Sequence, residues 1–147
     1  MNTFKNIKSI IEKTPMAEIT YKYNGIKRKI YAKCEWLSLT GSIKDRVAYQ
    51  ILKEAYEKGS LKHGDKIVEV SSGNMGISVV AMANLTGNPV TIIMPKNMSE
   101  ERKKLLKLYG ATLVEVEDFI EAFKVCEEYK KQGYFYLLPL NSDLTVR

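Results

Sequence analysis

The sequence has few of the residues that build metal sites, disulfides or histidine-based catalytic sites. Its 147 residues include one histidine, His63, and two cysteines, Cys34 and Cys126. His63 lies in a predicted exposed turn, and with a single histidine neither a Ser-His-Asp triad nor a histidine-based zinc site is expected. The cysteines lack metal or redox spacing, and we expect both to be reduced and to pack in the core. The sequence therefore predicts no metal site.

Long apolar runs are also missing. A membrane-spanning helix needs about 20 consecutive apolar residues, and no segment approaches that length. Residues 1–13 carry no signal-peptide core, so we expect a cytoplasmic protein without a membrane partner. The composition, 45% hydrophobic and 27% charged, is typical of one globular domain that buries a core.

The order of the apolar segments predicts an α/β fold. A short helix at Asn6–Glu12 precedes a β-hairpin of strands Met16–Tyr23 and Ile26–Cys34, turned at Asn24 and Gly25. After the hairpin, helical and strand patterns alternate, which indicates an open parallel sheet of successive βα units covered by helices. The predicted helices are Ile43–Lys58, Gly76–Thr86, Ser99–Tyr109 and Asp118–Lys131, and the predicted strands are Lys66–Val70, Val90–Met94, Thr112–Val116 and Tyr134–Leu138.

Lys44 is a candidate nucleophile because of its place at the start of a predicted helix. Ser42 is a good N-cap, so Lys44 falls in the first helical turn. The helix dipole disfavours a cation there, which favours the neutral, nucleophilic amine. The alternative is that Lys44, Asp45 and Arg46 are solvated surface charges.

The segment Ser71–Gly76 is a candidate anion-binding loop because it connects a predicted strand to a predicted helix. Backbone N–H groups at a helix N-terminus are unpaired and bind carboxylates or phosphates. The hydroxyls of Ser71 and Ser72 and the amide of Asn74 add further donors. The alternative is a plain turn whose serines and asparagine cap the helix and bind nothing.

These segments together resemble the cysteine synthase family of pyridoxal-phosphate enzymes, which includes O-acetylserine sulfhydrylases and cystathionine β-synthases. The resemblance implies that Lys44 forms the Schiff base with pyridoxal 5'-phosphate and later moves the α-proton of the substrate. It also implies that Asn74 hydrogen-bonds the 3′-oxygen of the cofactor. The substrate α-carboxylate is then bound by Ser71, Ser72, Gly73, Asn74 and Met75. The segments that carry the resemblance are Thr14-Pro15, Thr40–Arg46, Ser71–Gly76, Met94-Pro95, Met98–Lys103 and Leu108–Ala111.

The resemblance implies β-replacement on an amino acid such as O-acetylserine, with a thiol or sulfide as the second substrate, in a homodimer. One alternative is β-elimination, of the cysteine desulfhydrase or dehydratase kind, because it uses the same residues. Another alternative is a non-catalytic domain that keeps the fold and binds a partner.

The chain departs from the family pattern in its loop, in its last residues and in its length. Ser71 and Met75 stand where the family usually has threonine, and Leu138–Asp143 replaces a segment whose glutamine faces the substrate. The chain ends where the second half of the family begins, so we expect the domain that holds the cofactor phosphate to be absent. Residues 1–42 are expected to pack on that second domain, and residues 43–147 to form a small α/β domain that carries Lys44 and the substrate loop.

A net charge of +6 raises the alternative of a nucleic-acid-binding module. Its most basic segments are Lys27–Lys29 and Arg102–Lys104. Both have the pattern of solvated surfaces, because the first lies on a predicted strand among apolar residues and the second on a helix beside Glu100 and Glu101. We therefore expect no nucleic-acid partner, and a positive charge also suits an anionic cofactor and substrate.

Overall fold

A four-stranded parallel sheet covered by helices on both faces organises the structure, a computed structural model that describes residues 3–137. The predicted βα units are confirmed. The elements in chain order are α1 (Thr3–Ile11), β1 (Met16–Tyr23), β2 (Ile26–Lys33), a short 3-10 turn (Glu35–Leu37), α2 (Lys44–Glu57), β3 (Ile67–Val70), α3 (Asn74–Leu85), β4 (Val90–Pro95), α4 (Glu100–Leu108), β5 (Thr112–Val116), α5 (Phe119–Lys131) and β6 (Phe135–Tyr136).

The parallel sheet has the strand order β5-β4-β3-β6. Ile67 of β3 pairs with Val90 of β4 on one side and with Phe135 of β6 on the other. All six residues of β4 are buried, as expected for a central strand covered on both faces. The loops at the carboxyl ends of these strands are the usual ligand sites of such sheets.

Two apolar clusters cover the two faces of the sheet. Ile67 packs in a cluster that includes residues of α1, α2, α3 and α4, whereas Val68 packs with Cys126 of α5. This alternation follows from the period of two in a strand. Residues Gly76–Ala83 of α3 are all buried, because this helix lies between the sheet, α2 and α4.

The predicted bounds differ from the observed ones mainly at α1, at the start of α3 and at β6. Helix α1 spans Thr3–Ile11, so it begins three residues before the predicted start at Asn6. Helix α3 begins at Asn74, two residues before the prediction, so the second half of the candidate loop is helical. Strand β6 is two residues long, and Leu138, the predicted end of this strand, lies outside the described residues, as does Leu138–Asp143 as a whole.

The β1-β2 hairpin has one apolar and exposed face. Its two-residue turn, with φ of 49° at Asn24 and 77° at Gly25, is the type that matches strand twist. The opposite face carries most of the charged residues together with Met16 and Tyr31, and there Glu18 pairs with Lys29 at 2.7 Å. The large side chains of the apolar face are 41% to 60% exposed, and they are Ile19, Tyr21, Tyr23, Ile26 and Ile30.

Within residues 3–137, no helix is both long enough and apolar enough to cross a membrane.

Candidate functional site

Lys44 is the first residue of α2, and its side chain is exposed. The hydroxyl of Ser42 accepts a hydrogen bond from the backbone N–H of Lys44 at 3.1 Å. The N-cap of α2 is Ile43, one residue after the predicted Ser42, but the Ser42 hydroxyl still supplies an acceptor to the first turn. The amine stands at the surface, open to a ligand.

Asp45 is fully buried, so the interpretation of this residue as a solvated charge is wrong. Its carboxylate accepts hydrogen bonds from the backbone N–H of Thr40 at 2.8 Å, from the Thr40 hydroxyl, and from the Ser78 hydroxyl at 2.7 Å. Ser78 lies one turn after the start of α3. Asp45 therefore joins the lysine-bearing end of α2 to the first turns of α3.

Arg46 is also anchored rather than solvated. Its guanidinium donates two hydrogen bonds to the Glu35 carboxylate, both at 2.9 Å, and a third to the Thr14 hydroxyl. The Thr14 hydroxyl in turn donates to the Glu35 carboxylate at 2.8 Å. The bonds from Arg46, and then the bond from Thr14, hold the pKa of Glu35 below its usual value. Lys44 therefore extends from a helix end that is fixed on two sides.

The N–H of Ser71 donates to the Ile93 carbonyl oxygen at 3.3 Å, whereas the loop N–H groups after it have no acceptor among residues 3–137. The Ser71 hydroxyl accepts a hydrogen bond from the Gly76 N–H at 2.9 Å, so the helix-cap alternative is correct for Ser71. The exposed Asn74 side chain has no hydrogen-bond partner among residues 3–137. The N–H groups of Asn74 and Met75 lie in the first turn of α3, where a helix supplies no acceptor.

Met75 packs against the apolar cluster that contains Ile67 and residues of α1, α2, α3 and α4. Its side chain is therefore directed to the core, and only its backbone N–H remains for a ligand. The family's threonine at this position is thus replaced by a residue that serves packing.

Arg102 of α4 contacts the loop, which the sequence analysis missed. Its guanidinium donates a hydrogen bond to the Ser72 carbonyl oxygen at 3.2 Å. The only signal in the sequence is the position of Arg102 within the matching segment Met98–Lys103.

Lys103 is buried, so the interpretation of Arg102–Lys104 as a solvated basic surface is wrong for this residue. Its ammonium lies 2.6 Å from Glu115 and 2.9 Å from Glu100, and it donates to the Lys96 carbonyl at 2.7 Å. The two carboxylates, Glu115 first, raise the pKa of Lys103. Helix α4 is thereby fixed against β5.

Neither the cysteines nor the histidine forms a hydrogen bond with Lys44 or the Ser71–Met75 loop in the described part of the chain. Cys34 and Cys126 are buried and free, and burial, with a smaller effect of Glu69, raises the pKa of Cys126 to about 12. His63 is exposed, with its Nδ1 at 2.9 Å from the Thr86 carbonyl. In the described part of the chain, no three histidine, cysteine or acidic side chains converge as a metal site would require.

The hydrogen bond from Ser78 to Asp45 brings the starts of α2 and α3 together. Lys44 and the Ser71–Met75 loop therefore lie at neighbouring helix N-termini, and the loop directly follows β3. A cleft of about 450 Å³ between α1 and α2, lined by Phe4, Tyr49 and Tyr56 among others, includes neither of them. An exposed primary amine beside unpaired N–H donors fits a ligand that carries both a carbonyl and anionic groups.

Comparison with known proteins agrees with this chemistry. Residues 7–147 match the family described as "Pyridoxal-phosphate dependent enzyme". The chain is 38% identical to the cysteine synthase of Staphylococcus aureus over 134 residues, which cover 88% of this chain and 43% of that protein. It is 41% identical to the cystathionine beta-synthase of Apis mellifera over 111 residues, 74% of this chain and 22% of that protein.

The solved structure of a hydrogen sulfide-producing enzyme from Fusobacterium nucleatum has the same fold. It superposes with a TM-score of 0.84 at 42% identity, over 90% of this chain and 42% of that one. The chain thus spans less than half the length of these relatives. Since the family match covers nearly every residue, the chain belongs to the pyridoxal-phosphate-dependent enzymes, with cysteine synthases and cystathionine β-synthases as its relatives.

Proposed function

We propose that this chain carries the Schiff-base lysine of a pyridoxal-phosphate enzyme that performs β-replacement on an amino acid such as O-acetylserine. One observation carries the proposal: the exposed amine of Lys44 stands at a helix end that the buried Asp45 ties to the helix behind the anion loop. The cysteine synthase relatives support the choice of substrate class.

In this proposal Lys44 holds the cofactor through Nζ and takes the proton from Cα of the amino acid. The exposed amide of Asn74 would donate to the 3′-oxygen of the cofactor. When bound, pyridoxal phosphate supplies the electron sink for the pair left on Cα. The protein decides which bond breaks, because it fixes where the amine and the carboxylate of the substrate lie.

The α-carboxylate is bound by the Ser71–Met75 loop, and its residues contribute different hydrogen-bond donors. Ser72 contributes its hydroxyl, and Gly73, Asn74 and Met75 contribute backbone N–H groups. The Ser71 oxygen already accepts from Gly76, so its O–H proton alone remains for the ligand.

In the replacement reaction the proton leaves Cα to Lys44, acetate leaves Cβ, the sulfur of sulfide forms the new bond to Cβ, and Lys44 returns a proton to Cα to give cysteine. A second candidate is β-elimination, in which a sulfur leaving group departs from Cβ and no nucleophile adds. The Fusobacterium hydrogen sulfide-producing enzyme favours this candidate, and a variant of that enzyme was solved with an α-aminoacrylate intermediate. Two assays separate the reactions. Formation of cysteine from O-acetylserine and sulfide indicates replacement, whereas release of sulfide from cysteine indicates elimination.

The cofactor phosphate is held, in this proposal, by a second domain like the one that occupies the remaining length of the relatives. Residues 1–42 pack on that domain through the β1-β2 hairpin, while Ile7 and Ile11 of α1 pack in the same cluster as α2. The exposed apolar face of the β1-β2 hairpin supports this, because a two-stranded sheet with one apolar face needs a covering layer for stability.

The proposal is tested by chemical trapping on the chain itself. We expect that incubation with millimolar pyridoxal phosphate, followed by borohydride reduction and peptide mapping, places most of the label on Lys44. The variant Lys44→Ala should lose that label, whereas Lys58→Ala, which removes an exposed lysine from the other end of α2, should keep it. Label spread evenly over the surface lysines contradicts the proposal.

A further inference from the structure

We propose that Arg102 is a positioning residue of the carboxylate loop, Ser71–Met75. Through the Ser72 carbonyl it fixes the Ser72–Gly73 peptide so that the Gly73 N–H faces the side of α3 on which Lys44 lies. The identity of the bound anion as an amino-acid carboxylate rests on the proposed function, but the orientation of the peptide does not.

Helix α4 is a fixed platform for Arg102. The neighbouring residue, Lys103, is only 6% exposed and is held by Glu100, Glu115 and the Lys96 carbonyl. These contacts set the rotation of α4 about its axis. Arg102 therefore leaves a helix that cannot turn freely, and its guanidinium, which forms no ion pair with any residue from 3 to 137, reaches the Ser72 carbonyl at 3.2 Å.

The geometry of a trans peptide converts this contact into an orientation of the next N–H. The C=O and the N–H of one peptide point in opposite directions. Because the Ser72 carbonyl is directed toward α4, the Gly73 N–H is directed away from α4.

The side away from α4 is the side of α2. Helices α2, α3 and α4 share one apolar cluster on the same face of the sheet. Helix α3 connects β3 to β4 and packs on both α2 and α4, while α4 connects β4 to the outer strand β5. Helix α3 therefore lies between them, and the Gly73 N–H faces the helix that begins with Lys44.

The Ser72–Gly73 peptide needs such a contact because little else fixes it. An added Cβ at Gly73 would meet no heavy atom within 4 Å, so packing does not hold the residue. The Gly73 carbonyl accepts from the Ile77 N–H at 3.4 Å, but that bond fixes the following peptide. Glycine is also the residue with the widest backbone freedom.

The orientation is tested in the ligand-free chain by ¹⁵N NMR. A hydrogen bond to a carbonyl polarises the amide of the same peptide, so we expect Arg102→Gln to move the Gly73 amide resonance and to speed its exchange with water. Arg102→Lys should restore part of the effect. Lys104→Gln, which removes the same charge from an exposed position of α4, should leave Gly73 unchanged. An unchanged Gly73 resonance in Arg102→Gln overturns the inference.

The role in binding is tested with L-serine as the carboxylate probe. The affinity is measured from the L-serine-induced shifts of Gly73 and Asn74. We expect Arg102→Gln to lower it by roughly three- to tenfold, as for one hydrogen bond of ordinary strength. Lys104→Gln should change the affinity less than twofold if the effect is local.

The outcomes separate the two proposals. If L-serine leaves Gly73 unmoved in the unaltered chain, the carboxylate site of the proposed function fails, while the ligand-free spectra still decide the role of Arg102. If Arg102→Gln moves Gly73 in the free chain but L-serine binds with unchanged affinity, the positioning role in binding is overturned. A loss of affinity equal in Arg102→Gln and Lys104→Gln overturns it as well, because it shows an effect of net charge alone.

Discussion

Replacing Asp45 with alanine should destabilise the chain more than the loss of an ordinary helix cap. The Asp45 carboxylate is 0% exposed and accepts three hydrogen bonds, two from Thr40 and one from Ser78. In Asp45→Ala these donors lose their acceptor inside the protein, where water does not replace it.

The loss of stability depends on how many of the three donors find another acceptor. The hydroxyls of Thr40 and Ser78 lie 3.2 Å apart and bond to each other, so one donor keeps a partner. The other two lose theirs, at about 1–3 kcal/mol each. Loss of a favourable negative charge in the first helical turn adds about 0.5 kcal/mol. We expect a loss of about 4 kcal/mol, a large part of the ~5–15 kcal/mol that stabilises a typical domain.

Urea unfolding followed by circular dichroism measures the effect, with Asp118→Ala as the matched control. Asp118 caps α5 through one exposed hydrogen bond, from the Glu121 N–H at 2.8 Å, and its loss should cost about 1 kcal/mol. Equal losses in the two variants would refute the reasoning, because they would show that neither burial nor the number of bonds matters. Should Asp45→Ala fail to fold, Ser78→Ala removes a single donor and should cost about 1 kcal/mol.

Three further predictions concern the loop and the core. Gly76→Ala should destabilise the chain by about 1–3 kcal/mol, because the added Cβ would lie 3.0 Å from the Ser71 side chain, whereas Gly73→Ala meets open space and should cost less in the same urea titration. Ser72→Ala should weaken amino-acid binding by roughly tenfold, with an unchanged cofactor absorbance in the complete enzyme, and unaltered binding would contradict the carboxylate role. Burial raises the pKa of the Cys126 thiol from 9.0 in the unfolded chain to about 12 in the folded one. Between these pH values the unfolded chain loses the thiol proton first, so the free energy of unfolding should fall as pH rises. Cys126→Ala should flatten that decline by up to about 1.4 kcal/mol per pH unit, and an unchanged slope would show that the thiol is not the group concerned.

The elements of the fold were predictable because their signals are local. The period of apolar residues marks each helix and strand, and Asn24 with Gly25 specifies a two-residue hairpin turn. The strand order β5-β4-β3-β6 was not predicted, since the return of the chain to the far side of β3 depends on packing of α5 across the sheet. The early start of α3 was missed because Ser71, rather than a residue next to the helix, supplies the cap.

The candidate site was only half predictable, for a related reason. Lys44 and the Ser71–Met75 loop are recognised by position, at helix starts. Charged residues are usually solvated, so sequence alone gave no reason to bury Asp45 and Lys103. Ser78, the partner of Asp45, lies far along the chain, and Glu115, the partner of Lys103, lies on strand β5. Only the folded structure brings these residues together.

The two sides of the loop helix are held by contacts of different strength, and this difference bears on how the site works. On the α2 side, the buried Asp45 carboxylate and its three donors resist separation of Lys44 from α3. On the α4 side, one exposed hydrogen bond from Arg102 holds the Ser72 carbonyl, and water competes for such a bond. In the proposed function, a ligand at the loop therefore meets a firmly held start of α2 and a peptide that one weaker contact orients. Loss of the weaker contact, as in Arg102→Gln, should therefore release the Ser72–Gly73 peptide without moving the helix end that carries Lys44.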